Sequence, residues 1–144
     1  MKNIILADDH TVDCELFQDT VKELIIQTKL SILENGVALL ATLEETVPPS
    51  PNAIFLDLNM PLKSGYEALI EIRNTPKLKG IPIVIFSTTA SDDAVNKTYE
   101  YGADYHIGKL SLFSLLIKVI ETVQAFEMWQ TPQTPKEKYL LKIA

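Results

Sequence analysis

Apolar residues follow two alternating patterns along this chain. Five short runs, the last of them weak, are typical of strands buried on both faces of a parallel sheet, and they cover residues 3–7, 30–33, 53–56, 81–86 and 105–107. Elsewhere apolar residues recur every three or four positions, which predicts helices at about 11–25, 37–47, 65–75, 91–101 and 111–129. This strict alternation predicts an α/β fold in which helices cover both faces of a parallel sheet.

Turn residues divide the chain at the same places. Residues 34–36 form a turn signal, and the prolines within 48–51 end the second helix. Thr11 and Ser91 are expected helix caps, and Gly102 suits the left-handed conformation that often follows a helix. A single domain is therefore predicted for residues 1–129. For the tail, residues 130–144, two alternatives stay open: a frayed, disordered end, or a short helix docked on this subunit or a neighbour.

Length and charge narrow the class of protein. With 144 residues the chain has room for one domain of ordinary size. The formal net charge of -6 argues against direct binding of nucleic acid, which requires clustered Lys and Arg. No apolar run is long enough to enter and cross a membrane, and the amino terminus is unlike a signal peptide. The single cysteine, Cys14, excludes an internal disulfide and suits the cytoplasm, where we expect the protein.

Polar side chains follow four of the predicted strands. They are Asp8 and Asp9 after the first strand, Asp57 after the third, Ser87 after the fourth and Lys109 after the fifth. Because parallel strands have their carboxyl ends at one edge of a sheet, we expect these side chains to lie close together. Asp57 matters most, since a carboxylate at the end of a fully buried strand needs a cation or a proton to stabilise it.

The chemistry of this set favours a magnesium site and the transfer of a phosphoryl group. Carboxylates that meet raise one another's proton affinity unless a cation lies between them. Hard oxygen ligands favour Mg²⁺ or Ca²⁺ over zinc, and a small site with room for waters suits Mg²⁺. With Lys109 as a second positive charge and Ser87 as a hydroxyl donor, Asp57 is expected to act as the nucleophile.

Each of these residues also has an ordinary interpretation when taken alone. An acidic pair after a strand is usually solvated, a serine there is usually a turn residue or a cap, and a lone lysine is usually exposed. His10 is expected at a solvated rim rather than as a metal ligand, and Cys14 as a small packing residue. The joint occurrence of the others at successive strand ends favours a functional site.

The motifs are those of a known family. They are Asp8 and Asp9, the run Asp57-Leu58-Asn59-Met60-Pro61, Gly65, Ser87-Thr88, Gly102-Ala103 and Lys109. From residue 3 to about residue 128 the chain resembles the receiver domain of bacterial two-component response regulators, in particular the stand-alone chemotaxis and phosphorelay types. The resemblance implies a flavodoxin-like, doubly wound (βα)5 parallel sheet with the strand order 2-1-3-4-5.

The resemblance implies the acceptor, the metal ligands and the donor. Asp57 would accept the phosphoryl group. Mg²⁺ would bind Asp9, Asp57 and the backbone carbonyl of Asn59, and Asp8 would act mainly through a bound water. The donor would be a phosphohistidine on a sensor histidine kinase or a histidine phosphotransfer domain.

The resemblance also implies an output. Ser87 takes the position of the family's switch hydroxyl, and Lys109 that of its lysine. A downstream protein would bind the fourth helix, the fifth strand and the fifth helix, here about residues 91–129. A homodimer is left open.

Two positions depart from the family. Leu110 stands where the family has a proline after a cis peptide bond, and a cis bond before another residue costs about 2.5–4 kcal/mol. We therefore predict a trans Lys109–Leu110 bond and a displaced loop, from which Lys109 reaches the phosphoryl group less well or only after a loop rearrangement. His106 replaces the family's switching Tyr or Phe, and it either fills the same space or titrates near neutral pH and biases the output surface.

Three functions remain as alternatives. The expected one is a single-domain response regulator that phosphorylates and dephosphorylates itself on Asp57 without turning over an external substrate, and signals by binding a partner or by phosphorelay. The second is a degenerate receiver that binds its partners constitutively. The third is an enzyme with an aspartyl-phosphate intermediate, which is disfavoured because Asn59 stands where a haloacid-dehalogenase type would carry a second acid.

Overall fold

A parallel sheet runs between two apolar layers. Across the residues that the computed structural model describes (2–24, 27–89, 91–109 and 135–141), six strands form it in the order β2-β1-β3-β4-β5-β6. The strands are β1 (Lys2–Ala7), β2 (Thr28–Leu33), β3 (Ala53–Leu56), β4 (Ile83–Ser87), β5 (Tyr105–Gly108) and β6 (Leu140–Leu141). The first five have the predicted order 2-1-3-4-5, so the flavodoxin-like arrangement is confirmed.

Helices alternate with β1 to β5 as the pattern predicts. In the described ranges they are α1 (Thr11–Lys22), α2 (Gly36–Thr46), α3 (Gly65–Asn74) and α4 (Asp92–Glu100). The first helix is shorter than predicted, because the N–H of Glu23 donates to the Thr20 carbonyl and that of Leu24 to the Val21 carbonyl, which tightens the last turn. The predicted helix at 111–129 and the Lys109–Leu110 bond lie outside the described residues.

Short polar side chains begin three of these helices. The side chain of Asn35 accepts a hydrogen bond from the N–H of Ala38 at the start of α2. At the start of α4, the side chain of Ser91 accepts one from the N–H of Ala94. Ser64 and Glu67 form a reciprocal capping box at α3. The expectation that Thr11 caps α1 was wrong: the cap residue is His10, without a side-chain capping bond.

The central strand is buried on both of its faces. All four residues of β3 have an exposure of 0%. Ile54 and Leu56 lie in the apolar cluster with α2 and α3, whereas Phe55 lies in the opposite cluster, where its ring is 5.0 Å from that of Phe17 in α1. Packing on both sides holds the end of β3, and with it the following residue, in one position.

Arg73, near the end of α3, joins this helix to the amino ends of β4 and β5. Its guanidinium donates hydrogen bonds of 2.7–3.0 Å to the carbonyls of Gly102, Lys79 and Ile81 and to Oδ2 of Asp104. The same Asp104 oxygen accepts from the N–H of Ile83 at 2.9 Å. Burial lowers the pKa of Arg73, and Asp104 opposes that change. One buried cation therefore stabilises several backbone carbonyls far from the strand ends that carry the acids.

The chain returns to the sheet near its end. Residues 135–141, called the C-terminal segment below, form a short helix (Lys136–Tyr139) and β6, which pairs in parallel with β5. Tyr139 has an exposure of 0%, and its ring centre lies 5.0 Å from that of Tyr99 and 6.0 Å from that of His106. A docked short helix was one of the two alternatives for the tail, whereas the added strand was not anticipated.

Replacing Tyr139 by phenylalanine is expected to lower the free energy of unfolding by about 1 kcal/mol. The Tyr139 hydroxyl donates a hydrogen bond of 2.6 Å to Oγ1 of Thr98, and the variant loses this buried bond. Urea denaturation followed by circular dichroism measures the change. Tyr101→Phe, on the partly buried ring that packs against Tyr66, is the matched control and should be near neutral. Equal losses in both variants would contradict a specific role for the Tyr139 hydroxyl.

Candidate phosphoacceptor and metal site

The register of the two central strands brings two carboxylates side by side. Ala7 of β1 pairs with Leu56 of β3, and the N–H of Asp57 donates to the carbonyl of Ala7 at 2.9 Å. Asp8 and Asp57 are the next residues of these neighbouring strands, so both reach the carboxyl edge of the sheet at the same level. Their side chains are 0% and 2% exposed.

The two oxygens of Asp57 have different surroundings. Oδ1 accepts a hydrogen bond of 2.9 Å from the N–H of Leu58, which fixes the orientation of the carboxylate. Oδ2 is then directed towards Lys109 and His10. Burial raises the pKa of Asp57, nearby Lys109 lowers it and Asp8 raises it, with a net increase. The ionised carboxylate is therefore held in a place where a cation stabilises it.

Lys109 provides a positive charge in this pocket. Its Nζ lies 2.7 Å from Oδ2 of Asp8, 3.0 Å from Oδ2 of Asp13 and 3.4 Å from Oδ2 of Asp57, and the side chain is 3% exposed. Burial alone would lower the pKa of Lys109, but its bonds to Asp8 and Asp13 and the charge of Asp57 raise it overall. The ammonium therefore stays charged among the acids.

The structure holds Lys109 beside the Asp57 carboxylate, with Nζ 3.4 Å from Oδ2. Its reach towards a phosphoryl group stays a prediction. The N–H of Lys109 donates to the carbonyl of Ser87 at 3.0 Å, directly after Gly108 pairs with Ser87 in the sheet. The ladder between β4 and β5 thus fixes the backbone up to Lys109.

His10 and Asp9 complete the cluster. The ring of His10 is 54% exposed, as expected of a rim residue, but its Nδ1 lies 3.0 Å from Oδ1 of Asp8, 3.2 Å from Oδ1 of Asp9 and 3.3 Å from Oδ2 of Asp57. The hydrogen bond with Asp8 raises the pKa of His10. Asp9, with its side chain 34% exposed, lies at the entrance of the pocket.

Ser87 and Asn59 meet at a third residue, Thr89. Ser87 is buried at the end of β4, and its Oγ accepts from the N–H of Thr89 at 3.1 Å. The side-chain amide of Asn59, two residues beyond Asp57, donates to Oγ1 of Thr89 at 3.1 Å. Thr89 therefore joins the loop after β3 to the loop after β4.

His106 lies one strand away and also contacts Thr89. Its Nε2 is 3.0 Å from the Thr89 carbonyl, which only accepts, so Nε2 carries the proton and Nδ1 accepts from Thr98 Oγ1 at 3.2 Å. The residue is fully buried, and burial lowers its pKa, although the bond to Thr89 opposes this. The imidazole is therefore neutral at physiological pH. This favours the first of the two alternatives for His106, that it fills the space of the family's aromatic residue, over titration near neutral pH.

Gly65 keeps the loop after Asp57 folded against the strand. A Cβ at this position would overlap the carbonyl oxygen of Asp57 and lie 2.8 Å from Cα of Leu58. The N–H of Gly65 donates to the Leu58 carbonyl at 3.0 Å, which closes the loop. A glycine is required here because of the close approach and not because of its backbone angles.

The donor atoms fit a divalent cation. Ligand atoms of Asp8, Asp9, His10 and Asp57 all lie within 4.8 Å of one another. Oδ2 of Asp8 and Oδ2 of Asp57 are buried and accept no hydrogen bond within the described part of the chain, although each faces the ammonium of Lys109. Clustered carboxylate oxygens with unused lone pairs are typical of a site for Mg²⁺ or Mn²⁺.

Comparisons with known proteins identify the family. Residues 4–121 match the model of the response regulator receiver domain. The chain belongs to the response regulator receiver family. Response regulator Rcp1 from Synechocystis sp. is 36% identical over 129 residues, which cover 87% of this chain and 88% of Rcp1. This receiver is thus similar over most of its length to a curated relative of similar size.

Solved structures support the same assignment. The Mn²⁺-bound form of Rcp1 aligns with a TM-score of 0.75 and 33% identity, covering 94% of this receiver and 100% of Rcp1. The phosphorylated cyanobacterial phytochrome response regulator RcpA aligns with a TM-score of 0.75 and 29% identity, covering 90% and 94%. The receiver is therefore homologous to single-domain regulators that are phosphorylated in two-component signalling. Its function is that of a receiver in two-component signalling.

Family membership also defines the general class of partner. Receivers interact with histidine kinases or phosphotransfer proteins and are signalling proteins rather than metabolic enzymes. Among the described residues, no helix has the length and apolar character that a membrane span requires.

Sequence reasoning missed several residues around this receiver's site. Asp13 contacts Lys109, and Thr89 and Thr98 bond to His106. The position of Asp13 near the site was predictable from the sequence, because the first turn of a helix that follows a strand lies at the same edge of the sheet as the end of that strand. The contacts of Thr89 and Thr98 with His106 were not predictable, because they join parts of the chain that are distant in sequence.

Proposed function

We propose that Asp57 is the phosphoacceptor of this receiver, and that its donor is a phosphohistidine on a sensor histidine kinase or a histidine phosphotransfer domain. The observation that carries the proposal is the buried Asp57 carboxylate at the end of the central strand, beside Asp8 and 3.4 Å from Lys109 Nζ. An Asp57 oxygen forms a bond to phosphorus while the phosphorus–nitrogen bond of the donor breaks. The electron pair returns to the imidazole, and Asp57 becomes an acyl phosphate.

The surrounding residues stabilise this product. Lys109 neutralises negative charge on the added group, since its ammonium already faces Asp57 Oδ2. The bond from the Leu58 N–H to Oδ1 orients the carboxylate before the reaction. Ser87 supplies a hydroxyl at the end of the adjoining strand, and together with His106 it forms the proposed switch, because both contact Thr89.

A divalent ion completes the proposed site, with Mg²⁺ as the physiological choice. Asp9, Asp57 and the backbone carbonyl of Asn59 would hold it, and Asp8 would act mainly through a water. When bound, the ion neutralises charge on the transferring phosphoryl oxygens. The Mn²⁺-bound form of the relative Rcp1 supports a divalent ion here. The buried free thiol of Cys14 suits a reducing compartment, so the cytoplasm is the proposed location.

The proposed output is a change of protein binding. Thr89 links the loop that follows Asp57 to His106 on β5, next to α4, so an altered acceptor site reaches the side of the molecule formed by α4 and β5. A downstream protein would bind α4, β5 and residues 111–129 in a phosphorylation-dependent way, or the phosphoryl group would pass onward. A homodimer through the same side is compatible with this output.

Incubation with acetyl phosphate tests the proposal. In the presence of Mg²⁺ we expect the intact mass to increase by one phosphoryl group, and peptide mapping after borohydride reduction to place the change at Asp57. Addition of EDTA should prevent the reaction, because the acids then lack their counter-ion.

Other outcomes identify the alternatives. No adduct with acetyl phosphate, phosphoramidate or a phosphorylated phosphotransfer domain would overturn the proposal in favour of a degenerate, constitutive binding module. Rapid and continued release of phosphate without an adduct would indicate an enzyme with an aspartyl-phosphate intermediate.

A further inference from the structure

One side chain in the acidic pocket has no part in the proposed chemistry. His10 is the residue before α1, and its own N–H donates to Oδ1 of Asp8 at 2.9 Å, which turns the residue towards the pocket. Its Nδ1 then lies 3.0, 3.2 and 3.3 Å from oxygens of Asp8, Asp9 and Asp57. The hydrogen bond to Asp8 accounts for the first distance, and the other two are those of an ion pair when the imidazole is protonated or of neighbouring ligands when it is neutral and a metal ion is bound.

The distances from Nδ1 match those between neighbouring ligands of one metal ion. Bonds of about 2.0–2.1 Å at right angles place adjacent ligand atoms roughly 2.9 Å apart. The observed separations of 3.2 Å to Asp9 and 3.3 Å to Asp57, the two proposed carboxylate ligands, need only small adjustments to share an ion. His10 Nδ1 therefore lies close enough to these acids to share a divalent ion with them.

The acids also retain free coordination capacity at this place. Oδ2 of Asp57, 3.3 Å from the His10 nitrogen, is buried and accepts no hydrogen bond within the described residues, whereas Oδ2 of Asp8 lies 2.7 Å from the ammonium of Lys109. Buried carboxylate oxygens normally have hydrogen-bond partners. Both oxygens face the ammonium of Lys109, whose Nζ also lies 3.4 Å from Nδ1 of His10.

We propose that His10 is a nitrogen ligand of the divalent ion in this pocket and that it shifts the selectivity from Mg²⁺ towards Mn²⁺ and similar transition ions. Mg²⁺ prefers oxygen ligands and retains several waters, whereas imidazole suits the first-row transition metals. A site with carboxylates and one imidazole therefore favours the latter. The inference rests on the proposed metal site and adds to it the ligand that determines which ion binds.

Electron paramagnetic resonance of bound Mn²⁺ tests the ligand directly. The untagged receiver is labelled with ¹⁵N-histidine, and pulsed spectra are compared with those of unlabelled protein. We expect a directly coordinated imidazole nitrogen in the wild type and its loss in His10→Gln. The chain contains two histidines, so His106→Gln is the matched control and should retain the signal. Absence of histidine coupling in the wild type, or its persistence in His10→Gln, overturns the inference.

Competition binding tests the selectivity. Calorimetry with Mn²⁺ and Mg²⁺ should give a ratio of dissociation constants, Mg²⁺ over Mn²⁺, that falls at least about tenfold in His10→Gln. His10 is half exposed, so the variant should fold, and circular dichroism checks this. An unchanged ratio overturns the inference. If His10→Gln still forms the acetyl phosphate adduct with Mg²⁺, the proposed function stands whichever result the selectivity gives.

Discussion

Replacing Asp57 by asparagine is expected to abolish the adduct that acetyl phosphate forms with the wild-type receiver. Asparagine keeps the shape of the side chain but removes the anionic oxygen that forms the bond to phosphorus. Removal of a nucleophile reduces rates by orders of magnitude, and we expect a reduction of at least about 10³-fold. Intact mass spectrometry at fixed concentrations of acetyl phosphate and Mg²⁺ measures this loss.

The same substitution is expected to stabilise the metal-free protein at pH 7. Burial raises the pKa of Asp57, so the ionised form that is present at this pH opposes folding when no cation is bound. In urea denaturation Mg²⁺ should stabilise the wild type more than the variant. Asp19→Asn, on α1 with its side chain 74% exposed, makes the same change of charge and should match the wild type in adduct formation and stability. An adduct of wild-type size in Asp57→Asn would show that another residue is the acceptor.

Replacing Arg73 by methionine is expected to lower the free energy of unfolding by about 3–5 kcal/mol. The guanidinium is 17% exposed and donates to Asp104 and to the carbonyls of Gly102, Lys79 and Ile81. Without it, the buried Asp104 loses its cationic partner and the carbonyls lose their donor. Urea denaturation at pH 7 measures the difference.

A double-mutant cycle with Asp104→Asn separates the charge pair from the carbonyl contacts. If the loss of the Arg73–Asp104 ion pair dominates, Arg73→Met should cost less in the presence of Asp104→Asn than alone. Lys22→Met, which removes a 72% exposed cation from α1, is the control and should change stability by no more than about 0.5 kcal/mol. A loss in Arg73→Met that is as small as in this control would contradict the proposed role of the buried guanidinium.

Much of the fold follows from the pattern of apolar residues. Strands buried on both faces have no polar alternation, so the runs that became β1, β3 and β4 are distinct from the periodic helices. β6 was not predictable, because two leucines form no period and their pairing with β5 depends on contacts distant in sequence. The buried role of Arg73 was equally unpredictable from the sequence, since a charged residue near a helix end is usually solvated.

The acids of the site were predictable because the sheet topology determines where strand ends lie. Asp8 and Asp57 follow paired residues of adjacent strands, and this needs no knowledge of side-chain conformation. The position of His10 could not be derived in the same way. Its ring direction depends on the cap geometry of α1 and on the bond from its own N–H to Asp8, which only coordinates reveal.

The short strand at the end of the sheet changes how other molecules recognise this side of the receiver. β6 already pairs with His106 and Ile107, so an extended peptide cannot add to the sheet at these residues. Next to this covered edge, a partner can contact side chains such as those of Asp93 and Lys97 on the outer face of α4. Specificity on this side is then encoded in individual surface residues, which single substitutions alter without disturbing the sheet beneath them.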